Sequence, residues 1–179
     1  YSILTTGILV LYNNMLQSLF ESQISSLGAV MFGIFLMLVF LFKSWKLALI
    51  GMLPNLVACM AILGIMGHAN IPLDLMTITI AAITVGIAVD NCIHYVYRFK
   101  ENYALTNNYK ETVSICNQTV GRAIKNTSLT IIVGFSILVF SNFWPTIYFG
   151  IFTALAMLIA LIGSLTLLQI LIIKTKVFK

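Results

Sequence analysis

Five stretches of the chain are apolar almost without interruption, at about 26–42, 47–66, 75–96, 127–143 and 147–173. Each comes close to the roughly 20 residues that carry an α-helix across a bilayer, and the last is long enough to tilt or to run past the membrane. The strict alternation of a membrane barrel strand is absent, so the predicted fold is all-α, with five transmembrane helices. Ahead of the first span, Tyr12, Met15, Leu16, Leu19, Phe20, Gln23, Ile24 and Leu27 recur near helical spacing. They predict a helix over 10–25, either amphipathic at the membrane surface and feeding the first span or packed on a further domain. A second rhythm, Val113, Cys116, Val120 and Ile124, predicts a helix over about 109–125 on the membrane surface, with Asn107 or Asn108 as its cap. The layout is then a flank over 1–25, a five-helix membrane domain over 26–173 and a short tail over 174–179.

Composition agrees, since 60% of the 179 residues are hydrophobic and 8% are charged, a balance foreign to water-soluble domains. Charge adds an orientation. Lys43 and Lys46 fall in the first loop, Arg98, Lys100, Lys110, Arg122 and Lys125 in the third, and Lys174, Lys176 and Lys179 in the tail, which accounts for all 10 basic residues. Five spans put these three segments on one side, the cytoplasm by the positive-inside rule, with the amino end outside. The net charge of +5 therefore calls for no nucleic-acid partner. Trp45, Trp144 and Tyr148 sit at the span ends, where amphipathic rings favour the headgroup layer. The chain begins at Tyr1 with no signal-peptide pattern and an external amino end, so a longer polypeptide is expected to carry that end across.

One residue breaks the apolar pattern in a way that bears on function. Asp90 is an acid inside the third span, and a carboxylate in hydrocarbon is costly unless paired, hydrated or protonated, which makes it a functional candidate by default. A carboxyl in low dielectric can gain and lose a proton near neutral pH. At about 100° per residue, Thr79, Ile83, Gly86, Asp90, His94 and Tyr97 share one face of the helix. Gly86, with Ala82 a further turn away, would admit another backbone closely, so this face is expected to look into the bundle. Asn91, about 100° round, would orient the carboxylate or touch a different neighbour, and His94 either joins the relay or is a plain interfacial residue. In the fourth span Thr127, Thr130, Gly134 and Ser141 form a stripe. Their hydroxyls could face Asp90, or bond back to their own helix as such groups commonly do.

Cys59 and Cys92 fall in spans and Cys116 in the third loop, so no disulfide is expected, and no metal-ligand or cofactor pattern appears. Asn117-Gln118-Thr119 and Asn126-Thr127-Ser128 match the glycosylation pattern by chance, being on the cytoplasmic side.

The run Gly86-Ile87-Ala88-Val89-Asp90-Asn91-Cys92-Ile93-His94-Tyr95 with Arg98-Phe99 closely resembles the acidic-span motif of the resistance-nodulation-division (RND) superfamily, in its MMPL-like exporter branch, related to the sterol-sensing-domain proteins. Thr6-Gly7, Leu11-Tyr12, Ser22-Gln23, Leu53-Pro54-Asn55, Ile71-Pro72-Leu73-Asp74, Gly134-Phe135, Ser141 and Phe149-Gly150 extend the likeness over nearly the whole chain. The resemblance implies spans eight to twelve of a twelve-span fold whose other half lies in the missing amino-terminal part. It also implies a bacterial inner-membrane exporter of hydrophobic or amphipathic substrates, driven by protons through Asp90, with no ATP motif needed. Asn91 departs from the Tyr or second acid usual after this Asp. By the resemblance, Thr127 and Thr130 are the nearest candidates to complete the relay with Asp90, Asn91 and His94, while Ala82, Gly86 and Gly134 serve helix packing. Membrane lipids, protons, substrate, the missing half and a homo-oligomer are the partners compatible with this reading. The alternative is a lipid-binding regulatory module like the sterol-sensing domain. An intramembrane enzyme would need a second convergent catalytic group, and the sequence offers none at that depth.

Overall fold

The computed structural model describes residues 8–69 and 75–178; Thr6, Gly7, Ile71, Pro72, Leu73, Asp74 and Lys179, all used above, lie outside them. Helix α1 runs Ile8–Phe42, α2 Trp45–His68, α3 Leu75–Thr106, α4 Tyr109–Gln118 and α5 Val120–Ser136, which a 3₁₀ turn, Ile137–Phe140, prolongs. Helix α6 runs Trp144–Ile162 and passes through a π turn, Gly163–Leu167, into α7, Leu168–Thr175. Five runs are long and apolar enough to cross a membrane: Ser25–Phe42, Trp45–His68, Thr79–Thr106, Val120–Phe140 and Trp144–Thr175. The protein is an all-α, multi-pass membrane protein, with no strand among the described residues.

The chain divides after Met37 into two compact units. In the first, α1 is continuous across 10–25 and on into the first span. The side chains of Tyr12, Leu16, Leu19, Phe20, Gln23 and Ile24 lie outside the described residues.

In the second unit α3 packs against α2 and α6, and α5 against α6. Ala58, Ala88 and Ala160, one from each of α2, α3 and α6, form a buried layer of small side chains. Next to it Ile62, Met66, Ile80, Phe152 and Ala156 build a bulkier apolar layer. Small residues let membrane helices approach closely, where dispersion contacts replace the missing hydrophobic drive. Two glycines of the last span mark such close approaches between helices. A Cβ on Gly150 of α6 would lie 2.7 Å from the Phe135 carbonyl oxygen and 2.8 Å from Leu138 Cβ, while one on Gly163 would lie 3.3 Å from Pro54 Cβ. Pro54 sits inside α2, where it withholds a backbone N–H, so two helix irregularities, the proline and the π turn, meet side by side. Phe135 and Phe149 pack edge to face, ring centroids 5.7 Å apart. The motif residues Phe135, Phe149 and Gly150 thus share one contact.

The predicted loop helix is shorter than expected and the fourth span longer. Backbone torsions at Thr119 (φ −99°, ψ −90°) end α4 at Gln118, and residues 120–126 open the span helix itself. The corner is tight, since a Cβ on Gly121 would lie 3.3 Å from the Cys116 carbonyl oxygen. Arg122 and Lys125 on its first turns are exposed, as long cationic side chains are when they reach from apolar surroundings to a polar boundary. Hydropathy alone assigns these turns to the loop because of their charge. The same bias ended the third span near residue 96, whereas α3 continues to Thr106.

Asn108 caps α4, its side chain accepting from Lys110 N at 3.1 Å. Thr106 and Thr112 hydroxyls meet at 2.7 Å, Asn102 Nδ2 donates to Cys116 Sγ at 3.5 Å, and the Asn117 and Gln169 amides exchange hydrogen bonds of 3.3 and 2.5 Å. Tyr109 donates its hydroxyl to the Phe178 carbonyl. Phe99, Tyr103, Tyr109 and Phe178 form one aromatic cluster. Helix α4 is therefore tied on one side to α3 and on the other to α7 and the tail.

Burial pushes the Cys116 thiol above its ordinary range, against smaller opposing effects of the Asn102 hydrogen bond and the Arg98 charge. A thiol so placed stays protonated at neutral pH, and the thiolate is the reactive form. Maleimide at pH 7.5 is accordingly expected to label Cys116 in the folded protein at less than about one tenth of the rate in denaturant. Fast labelling of the native state would show that α4 does not stay docked.

Candidate functional site

Asp90 stands well inside the Thr79–Thr106 span of α3, and the three residues from 90 to 92 divide the surroundings of the helix among them. Asp90 itself is on the open side, with 68% of its side chain exposed. Its polar partner among the described residues is His94 Nε2, 3.5 Å from Oδ1 and equally exposed. One helical turn separates them, the spacing at which side chains on a helix surface meet. A carboxylate and an imidazole this close form a pair through which a proton can be shared.

The expectation that this face looks into the bundle is corrected. The buried side of α3, which packs on α2 and α6 and, near Phe99, on α4, carries Ile80, Val85, Ala88, Cys92, Val96 and Phe99. Asp90, His94, Tyr97, Gly86 and Ala82 lie on exposed positions. Apolar side chains gain by burial against neighbouring helices, and the polar stripe is what remains outside. Correspondingly, Gly86 and Gly134 have nothing within 4 Å of a built Cβ, and Ala82 is exposed. Within this chain the close approaches expected of those three fall instead to Gly150 and Gly163.

Thr127 and Thr130 are also exposed, and each hydroxyl donates to its own helix, to Ala123 O at 3.1 Å and Asn126 O at 2.9 Å. This is the self-bonding common for hydroxyls in membrane helices, and neither reaches Asp90. The hydroxyl of this segment that does bond to α3 is that of Ser128, one residue along and about 100° round, and it meets Asn91 in place of Asp90. Fully buried, its Oγ accepts from Asn91 Nδ2 at 3.3 Å. Asn91 therefore turns away from the carboxylate and onto α5. In the run Asn126-Thr127-Ser128 the middle residue faces out and the last faces in, a distinction the sequence alone does not make.

On the remaining side, Cys92 is fully buried, with Sγ 3.9 Å from both Nδ2 and Oδ1 of Asn55 on α2. Asn55 also donates to the Gly51 carbonyl at 3.1 Å. Among the described residues no three His, Cys, Asp or Glu side chains converge as a metal site would require, and the three cysteines are free and buried.

The sequence of these helices matches the model of the MMPL family over residues 4–175, which takes in the acid-bearing α3, the Pro54 helix and the glycine contact of α6. The chain belongs to the MMPL family. A membrane protein of Methanocaldococcus jannaschii is 29% identical over 153 residues, covering 86% of this chain and 39% of that one. The chain thus spans well under half the length of this relative. This MMPL membrane module carries the α3 acid and its histidine on an open face.

Proposed function

We propose that this MMPL chain is one membrane half of a proton-driven exporter, in which Asp90 takes up and releases the proton that powers transport. The observation that carries the reading is an acid within a spanning helix, set beside His94 on an exposed face of the five-helix chain. A charge in that place is costly in lipid, and it becomes affordable where a second polar surface covers it. The counterpart surface would come from the other half of the same polypeptide, a reading supported by the short coverage of the longer relative. Transport by the 179-residue chain alone is not expected.

The proposed substrate is hydrophobic or amphipathic, with membrane lipids as neighbours. The proposed setting is a bacterial inner membrane, amino end outside. In that setting the basic segments around Lys43, α4 and Lys174 would face the cytoplasm, as the positive-inside rule requires. The full-length protein in liposomes with an internal pH dye is the test. Substrate outflow should carry protons the opposite way and collapse when an ionophore removes the gradient. Transport indifferent to the gradient would sink the proton reading, and a bound lipid without transport would favour a sensor module.

A further inference from the structure

Consecutive residues of an α-helix point about 100° apart, so Asp90, Asn91 and Cys92 sample three directions around α3. The first side chain is free to meet something outside this unit, and the other two are held within it. Asn91, only 5% exposed, is fastened to Ser128 on α5. Cys92, at 0%, rests against Asn55 on α2. The two contacts lie on different sides of α3 and on consecutive residues directly after the acid. Rolling α3 either way would leave a buried amide or hydroxyl without its partner, in surroundings where water cannot replace it.

We propose that Ser128 and Asn55 are positioning residues. Acting through Asn91 and Cys92, they fix the rotation of α3 and thereby the direction in which the Asp90 carboxyl faces. Neither touches Asp90, which separates this role from membership of a proton chain. The inference rests on the reading of Asp90 as the protonating group. It accounts for Asn91 standing next to the acid: a residue that does not titrate, turned toward α5.

The charged and titratable groups on and around α3 are, besides Asp90, Cys92, His94, Tyr95, Tyr97, Arg98, Lys100, Glu101 and Tyr103 on α3 itself; Lys46, Cys59 and His68 on α2; Tyr109, Lys110, Glu111 and Cys116 on α4; Arg122 and Lys125 on α5; and Tyr148 on α6. Of these, His94 alone pairs with Asp90 among the described residues. The π turn carries no such group.

The test uses the full-length protein in liposomes and dicyclohexylcarbodiimide, an apolar reagent that modifies protonated carboxyls, with the Asp90 peptide followed by mass spectrometry across pH. Wild-type labelling should rise as pH falls. In Ser128→Ala and, separately, Cys92→Ala, the labelling midpoint is expected to move by about half a pH unit or more, because the carboxyl meets different surroundings. Ser128→Thr, which keeps the hydroxyl, should restore the wild-type midpoint. A purely structural contact would alter yield or thermal stability and leave the midpoint in place. Unchanged midpoints in both folded alanine variants would overturn the positioning role and leave the proton reading standing. No labelling of wild-type Asp90 at any pH would overturn both.

Discussion

Asp90→Asn in the full-length protein is expected to abolish proton-coupled export while leaving expression, insertion and thermal stability close to wild type. The substitution keeps the shape of the side chain and removes the proton. Stability should barely change because the substitution preserves the size and shape of the side chain, and within this unit the ion pair it removes, among the described residues, is a single 3.5 Å contact with His94. Activity should fall by roughly 100-fold or more, the scale on which positioned proton-transfer groups act. The measurement is substrate flux with simultaneous internal pH in matched liposomes. Wild-type flux in the Asn variant would remove the basis for the proposed function. His94→Gln provides the graded comparison. If the imidazole assists Asp90, flux persists but its pH profile moves; if His94 only borders the interface, the profile stays.

The second large effect concerns Gly150. Gly150→Leu, or even Gly150→Ala, should destabilise the membrane domain, because the new Cβ falls 2.7 Å from the Phe135 carbonyl oxygen and 2.8 Å from Leu138 Cβ. A backbone carbonyl cannot rotate away as a side chain can, so α6 must separate from the end of α5. Overpacking of this kind costs about 1–3 kcal/mol. The edge-to-face contact of Phe135 with Phe149 should loosen too. Thermal unfolding in detergent, read by loss of the monodisperse peak, should shift clearly downward. Gly134→Ala is the control on the same stretch: nothing lies within 4 Å of its built Cβ, and alanine is the better helix former by about 1 kcal/mol. It should be neutral or stabilising. Equal losses in both variants would show that helix contact at Gly150 is not what matters.

These two residues also mark how far the sequence could be read. Asp90 announced itself, since a single acid among apolar residues is improbable without a use. The spans were legible for the same reason, hydropathy being a direct readout of solvent. The direction in which Asp90 faces was not legible. A polar stripe with small residues looks the same whether this chain's own helices or some other surface is to cover it, and only the packing of α2 and α6 on the far side of α3 decides. Ser128 was missed because periodicity groups residues by angle but does not say which angle points inward. Thr127 and Thr130 formed the more regular stripe and proved to be the exposed one. The charged turns at Arg122 and Lys125 hid the true start of α5, since charge is read as loop when it can equally belong to the end of a spanning helix. Glycine gave a similar ambiguity: Gly86, Gly134 and Gly150 look alike in sequence, and only Gly150 is pressed against a neighbour.

The π turn at Gly163–Leu167 has a consequence for the tail. A π turn holds more residues than an α turn, so it acts as a phase shift: every side chain after Leu168 is rotated relative to where an unbroken α-helix would have put it. Gln169 reaches Asn117, and Phe178 reaches the aromatic cluster, in that shifted phase. Shortening the turn by one residue would leave the span crossing the bilayer as before but turn Gln169 by about 100°, away from α4. The docking of the carboxy-terminal end is thus encoded partly as an angle, set in mid-membrane beside Pro54 and delivered at the basic end of the molecule.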